Sequence, residues 1–141
     1  MRATRLATLC IAILMASMQP PAAQEQPSGF RSPSSNIHCQ AFKVDDGHVL
    51  RCDIAATSNK PPPKPKDCEL DWGSAFEMTD TSKAERLCHG DTAMDNTLPQ
   101  LPYGASWQRH GFTCKSEQAG MTCTNPKGHG FELSRARQRL F

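Results

Sequence analysis

The sequence has no Cys-x-x-Cys pair, no Gly-x-Ser-x-Gly elbow, no phosphate-cradling or dinucleotide glycine pattern, and a single tyrosine. Each absence removes a class of function. Beyond residue 23 the nearest cysteines are Cys114 and Cys123, nine apart, too far for the usual spacing of a structural zinc site or a thioredoxin-like redox centre. Gly73-Ser74 and Gly104-Ala105-Ser106 lack the second glycine that exposes a catalytic serine on a sharp turn. No Walker-type or dinucleotide motif invites a nucleotide. The aromatics are few: Trp72, Trp107, Tyr103 and six phenylalanines. Because large rings supply most of the burial in a small domain, Trp72, Trp107 and Tyr103 are expected in the core rather than on a ligand platform.

Long apolar runs are missing except one. "LATLCIAILMA" follows the basic segment "MRATR" and precedes "SMQPPAAQ", which is polar, helix-breaking and supplied with small residues. This order reads as a secretory signal peptide over residues 1–23, with cleavage near Ala23. The run is shorter than the ~20 residues of a membrane-spanning helix, so no span is expected once it is removed. Cys10 lies inside the run, not at its end, which argues against a lipid-anchored cysteine.

Excess charge is missing too. Residues 1–23 contain Arg2 and Arg5 and no acidic residue, so without them the 16 basic residues become 14 and balance the 14 acidic ones. A nucleic-acid partner would call for a basic excess that displaces counterions, and none is expected here. The remaining basic cluster, Arg135, Arg137 and Arg139, has no interleaved aromatics for base stacking and reads as solvated surface.

Cysteine is what the chain has in quantity. Six remain after residue 23: Cys39, Cys52, Cys68, Cys88, Cys114 and Cys123. An even number in an exported chain indicates disulfides. "CQAFKVDDGHVLRC" and "CKSEQAGMTC" are both symmetric about a central turn. Each reads as a hairpin with a four-residue loop, "VDDG" or "EQAG", built around a type I turn and ended by glycine. The symmetry places Cys39 opposite Cys52 and Cys114 opposite Cys123, close enough to be bridged, whereas a one-residue slip would send the sulfurs to opposite faces. Cys68 and Cys88 then pair with each other. No cofactor and no metal are expected, because oxidised cysteines offer no thiolate.

Short strands separated by frequent turn signals run through residues 24–141, which are read as one domain. "TSNKPPPKPKD", 57–67, cannot donate ladder hydrogen bonds and is expected as an extended surface connection, with a proline-rich ligand motif as the sharper alternative. "CELDWGSAFEM" is a strand pair or one bent strand. "TSKAERLCHG" carries a capping box and a terminal glycine but is read as a strand. "LPQLPYGASW" leads into a strand, and "HGFELSR" is expected as the closing one. Trp72–Phe76 echoes Tyr103–Trp107, and the two hairpins echo each other. The expected fold is all-β: a small disulfide-stapled sandwich or barrel of antiparallel hairpins, with at most one short helix.

"FRSPSSNIHC", "LRCDI", "CHGDT", "LPYGASW", "FTC…MTCTN" and "GHGFELSR", in this order, resemble an uncharacterised family of exported, cysteine-rich bacterial proteins. The resemblance spans Phe30 to about Arg135. Where such relatives commonly read "SPSGN", this chain has Ser35. The resemblance implies export, to the periplasm or beyond, and one domain; it implies no catalytic residue.

His89, Asp91 and His129 are the residues best able to carry chemistry. His-Gly-Asp puts an imidazole and a carboxylate on one side of an extended segment, and His129 stands between glycines that permit close approach. Together they could bind zinc or act as an acid–base pair. The plainer reading makes Asp91-Thr92 an Asx-type turn, His89 a strand end and His129 a turn residue, and it is preferred because such turns are common and metal geometry is demanding. Three functions follow: a non-catalytic exported module binding a protein or glycan, or associated with the envelope; an enzyme or metal-binding protein centred on His89, Asp91 and His129; and a small secreted inhibitor or effector that presents a stapled hairpin.

Overall fold

A computed structural model describes residues 26–141. The segment read as a signal peptide, with Cys10, lies outside the described residues. The strands are β1 Gly29–Arg31, β2 Ile37–Val44, β3 Gly47–Ile54, β4 Asp71–Thr79, β5 Glu85–His89, β6 Ser106–Arg109, β7 Phe112–Glu117, β8 Gly120–Thr124, β9 Gly130–Leu133 and β10 Gln138–Leu140. No helix occurs among the described residues. The strands form two five-stranded antiparallel sheets, β1-β2-β3-β4-β5 and β6-β7-β8-β9-β10, each a simple meander. Their inward residues make one core, so the fold is a sandwich of two like sheets.

The three bridges are Cys39–Cys52, Cys68–Cys88 and Cys114–Cys123. Cys39 and Cys52 are directly opposed in the β2–β3 ladder, as are Cys114 and Cys123 in β7–β8. The Cα atoms of each of these pairs are 4.1 Å apart, the close spacing of a non-hydrogen-bonded site. Each bridge is the middle of a row that crosses its sheet. In the first sheet Phe30 pairs with Cys39, Cys52 with Phe76. In the second Trp107 pairs with Cys114, Cys123 with Phe131. The rows stack: Phe30 lies on Trp107 with ring centroids 5.2 Å apart, and Phe76 on Phe131 at 6.2 Å. Between them the sulfurs of Cys39, Cys52 and Cys123 lie within 4.8 Å of one another. The next inward row is Ala41, Leu50 and Met78 in one sheet and Ser116, Met121 and Leu133 in the other.

The hairpin echo therefore matches equivalent strands. The other echo does not: Trp72–Phe76 lies in β4, the fourth strand of its sheet, whereas Tyr103–Trp107 leads into β6, the first of its own.

The hairpin loops are shorter than the sequence suggested. Pairing continues to Val44 with Gly47 and to Glu117 with Gly120, leaving two-residue connections, Asp45-Asp46 and Gln118-Ala119. None of these four residues has a positive φ, and the glycine that follows takes it up, +139° at Gly47 and +146° at Gly120. That glycine reconciles a turn of ordinary residues with the strand twist, so the ladder resumes at once. Gly130, the second glycine of "GHGF", has a different reason: a Cβ there would lie 2.0 Å from the Cys123 carbonyl oxygen. Its role is to let β9 approach the stapled strand.

β4 is a single bent strand, with a register shift between Trp72 and Phe76. β5 confirms the strand reading of "ERLCH". "GFEL" is followed by a further edge strand, β10, which the arginines concealed. Arg139 stands opposite Glu132, to which its guanidinium donates at 3.1 Å, and Arg137 adds a second contact at 3.3 Å. An edge strand tolerates such charge because its outer side faces water. The proline-rich segment is exposed and outside both sheets, with the Trp72 indole N–H donating to the Pro62 carbonyl at 3.0 Å. Of the aromatics expected in the core, Trp107 is buried, Trp72 is half-buried because of that bond, and Tyr103 is 49% exposed.

Ser35 has φ +55°. It occupies the left-handed region in the β1–β2 turn, held by the Arg31 guanidinium that donates to its hydroxyl. Glycine enters that region without strain. Ser35→Gly is expected to hold or raise the melting temperature, and Ser35→Val to lower it, since a β-branched residue fits this region worst. Removing the central staple as Cys114→Ala with Cys123→Ala should cost about 3 kcal/mol in denaturant unfolding. An unchanged midpoint would show that the bridge does not constrain the unfolded chain.

Candidate functional site

β3 carries Arg51 and Asp53 two residues apart, hence on the same face, with inward Cys52 between them. Both point to the outer side of the first sheet, yet Asp53 is only 1% exposed. Its carboxylate accepts from Arg51 at 2.8 and 3.0 Å, from the Thr92 hydroxyl at 3.1 Å and from the Ala93 N–H at 2.8 Å. What buries it is the connection between the sheets, residues 90–105. This strap leaves β5, crosses the outer face and runs beside β1 before entering β6.

The strap is pinned along its path. Arg51 donates to the Asp91 carboxylate at 2.7 Å and to the Asp91 carbonyl at 3.0 Å. Gln40 donates to the Ala93 carbonyl at 2.7 Å. The buried His38 donates from Nε2 to the Ser35 carbonyl at 3.0 Å, and its Nδ1 accepts the Asp95 N–H at 3.1 Å. Arg31 holds the Leu98 carbonyl with its side chain and exchanges backbone bonds with Pro99 and Leu101.

His89 and Asp91 are brought together within this network. The Asp91 carbonyl can only accept, so His89 Nδ1 carries the proton and donates to it at 2.7 Å, while Nε2 takes the Ser74 hydroxyl at 3.2 Å. Arg51 lies 3.4 Å from the same Nδ1 and is then a neighbour rather than a donor. The Asp91 carboxylate makes an ion pair instead of the expected Asx turn; that turn occurs at Asp95, whose carboxylate accepts the Thr97 N–H at 2.8 Å. The hydrogen bond from Arg51, and then its charge, hold the Asp91 carboxyl below its ordinary pKa. Burial pulls the Arg51 guanidinium down, but its bonds to Asp53 and Asp91 outweigh that and leave it raised.

His129 is elsewhere. It sits in the β8–β9 turn, which Asn125 organises by accepting the N–H groups of Lys127 and His129 at 2.9 and 3.1 Å. Asn125 also donates to the carbonyls of Thr79 and Ser82, at the turn end of the β4–β5 hairpin. His89 is at the other end of that hairpin, opposite Asp71. The seven residues from Ser82 to His89 separate the two sites by on the order of 20 Å. Among the described residues, the only three side chains whose ligand atoms cluster as a metal site requires are Cys39, Cys52 and Cys123, all consumed in bridges.

Sequence reasoning missed Arg51 and Asp53, although the Arg-x-Asp alternation in "LRCDI" was the available signal. It also missed the face-to-face stack of His48 and His110, whose centroids are 3.7 Å apart, because His48 is in β3 of the first sheet and His110 in the β6–β7 turn of the second. And it missed a cleft of about 260 Å³ at one end of the sandwich, between the β1–β2 turn, the β7–β8 hairpin and the Tyr103 turn.

The fold and these sites define a class: an all-β, disulfide-stapled sandwich of two like meanders joined by an outer strap. The chain belongs to a family of unknown function, DUF6636, whose model matches residues 9–141. No curated protein and no solved structure matches it significantly.

Arg51→Ala leaves the Asp53 carboxylate buried without its cation and should cost about 3–5 kcal/mol, read by denaturant unfolding at neutral pH. Asp91→Asn should change little. Because the folded Asp91 pKa is depressed, the stabilisation from its pair is present above about pH 4 and lost as pH falls further. The two melting curves, wild type and Asp91→Asn, should therefore converge in acid.

Proposed function

We propose that this protein is a non-catalytic binding module, exported by cleavage of residues 1–23 to the periplasm or beyond, with a protein or a glycan as its partner. The observation that supports this most directly is the fate of His89 and Asp91. Both ring nitrogens of His89 are engaged, and the Asp91 carboxylate is tied to Arg51. A general base needs a free lone pair within reach of a substrate proton, and a zinc site needs its ligands convergent. His89 and Asp91 anchor the strap, and His129 is too distant to join them.

Export is supported by the basic, apolar and small-residue order of residues 1–23 and by three disulfides, which need an oxidising compartment. No helix among the described residues is long and apolar enough to cross a membrane.

A second reading, an effector that presents the β2–β3 hairpin, is favoured by one observation. Phe42 and Val44 are exposed on the outward face beside the Asp45-Asp46 tip, 41% and 42%.

Adding zinc to the oxidised protein should leave its melting temperature unchanged, since an ion that binds only the native state must raise it. A rise abolished by His89→Ala and by His129→Ala would replace this reading with a metal site. Mass spectrometry of the exported chain should place its first residue near Gln24.

A further inference from the structure

Ser116 is the single buried side chain among the described residues whose polar atom has no hydrogen-bond partner. It occupies the third inward position of β7, after Phe112 and Cys114, and is 1% exposed. The equivalent position of the first sheet, two residues beyond its own first cysteine, holds Ala41. Alanine therefore satisfies the packing of this row, and a hydroxyl there forfeits its hydration without return. The same serine lines the end cleft.

The rim of that cleft carries side chains that the fold does not use. Tyr103 is the second residue of the turn Pro102–Ala105, closed by the Ala105 N–H on the Pro102 carbonyl at 3.0 Å with Gly104 at φ +84°. This type II geometry projects the phenol ring into solvent, and Gly104 N–H to the Ser116 carbonyl at 2.7 Å ties the turn to β7. Gln118, at the hairpin tip, and Arg135 make no side-chain hydrogen bond among the described residues. Glu117 is already neutralised by Lys115 at 3.0 Å. Ile37 and Met121 supply apolar surface.

We propose that this cleft is a binding site for a sugar residue of a glycan; the assignment rests on the reading of the protein as a binding module. A sugar ring offers alternating hydroxyl donors and acceptors, which a serine hydroxyl, a glutamine amide and a guanidinium can meet together. It also offers a C–H face that lies against an exposed aromatic ring. The cleft, about 260 Å³, is near the lower limit of small-ligand pockets and suits one ring better than an extended chain. The lone unneutralised charge, Arg135 at the rim, admits a neutral or singly anionic sugar.

The test is an NMR titration of the ¹⁵N-labelled, disulfide-intact protein with glucose, N-acetylglucosamine and glucuronate, with inorganic phosphate and glycine as charged comparators. Saturable shifts confined to Ser32–Ile37, Tyr103–Ala105, Ser116–Met121 and Arg135 are expected for at least one sugar. Ser116→Ala should weaken that binding roughly 3–10-fold without lowering the melting temperature, and Tyr103→Ala, an exposed change, about tenfold. Absence of saturable shifts with every sugar, or tighter binding of phosphate or glycine at these residues, would overturn the sugar assignment and leave the module reading standing. Chemical conversion of the sugar in the tube would instead overturn the non-catalytic reading.

Discussion

The contact between two cross-strand disulfides at the centre of the sandwich is the constraint on which the rest of the structure depends. Each bridge locks the register of its hairpin, because only directly opposed half-cystines can be joined without moving the backbone. Register in turn decides which face of every strand is buried, since a slip of one residue exchanges the two faces. The flanking aromatics extend this decision across each sheet: Phe30 and Phe76 beside one bridge, Trp107 and Phe131 beside the other. When the sheets close, ring meets ring and sulfur meets sulfur. A modest domain with few aromatics thus commits five of its nine large rings, Phe30, Phe76, Trp107, Phe112 and Phe131, to the core.

The same register has a consequence on the opposite face. With Cys52 held inward, Arg51 and Asp53 must point outward, and a carboxylate placed there cannot stay dry unless its oxygens are met. The strap meets them, and in doing so it becomes ordered along the outer surface. His38, Gln40 and Arg31 repeat the device on neighbouring strands. The polar residues that looked most like chemistry in the sequence, His89 and Asp91, are the entry to this strap. Their hydrogen bonds are spent on pinning the strap to the first sheet, and the functional reading moves to surfaces the fold leaves unused.

The two sheets follow one plan, so their differences are informative. Ala41 fills its place in the first sheet by packing alone, while Ser116 adds a hydroxyl that packing does not require. The first sheet's end closes through the Arg31–Ser35 turn, and the second's through a two-residue hairpin with an exposed tyrosine turn beside it. The cleft lies where these unlike ends meet, which is why no single stretch of sequence contains it.

Much of the fold was legible in the chain. The count and symmetry of the cysteines specified the bridges, the turn signals specified short strands, and together they required an all-β architecture. These are local properties, set by spacing along a strand and by the side-chain period of two. The loop lengths were misjudged because a glycine's φ depends on how the ladder resumes after the turn. β10 was missed because an edge strand may be as charged as a loop. Tyr103 was misplaced because a ring's burial depends on what the turn holds it against. The sequence by itself determined that His89 and Asp91 stand near one another, two residues apart on an extended segment. Only the tertiary structure decided that Ser74 and Arg51, 15 and 40 residues earlier, would occupy His89 and Asp91 respectively, that His129 would sit at the far end of a hairpin, and that the hydroxyl of Ser116 would lack a partner. Contacts between residues distant in the chain are set by how two sheets stack, and that follows from the whole core, not from any segment of it.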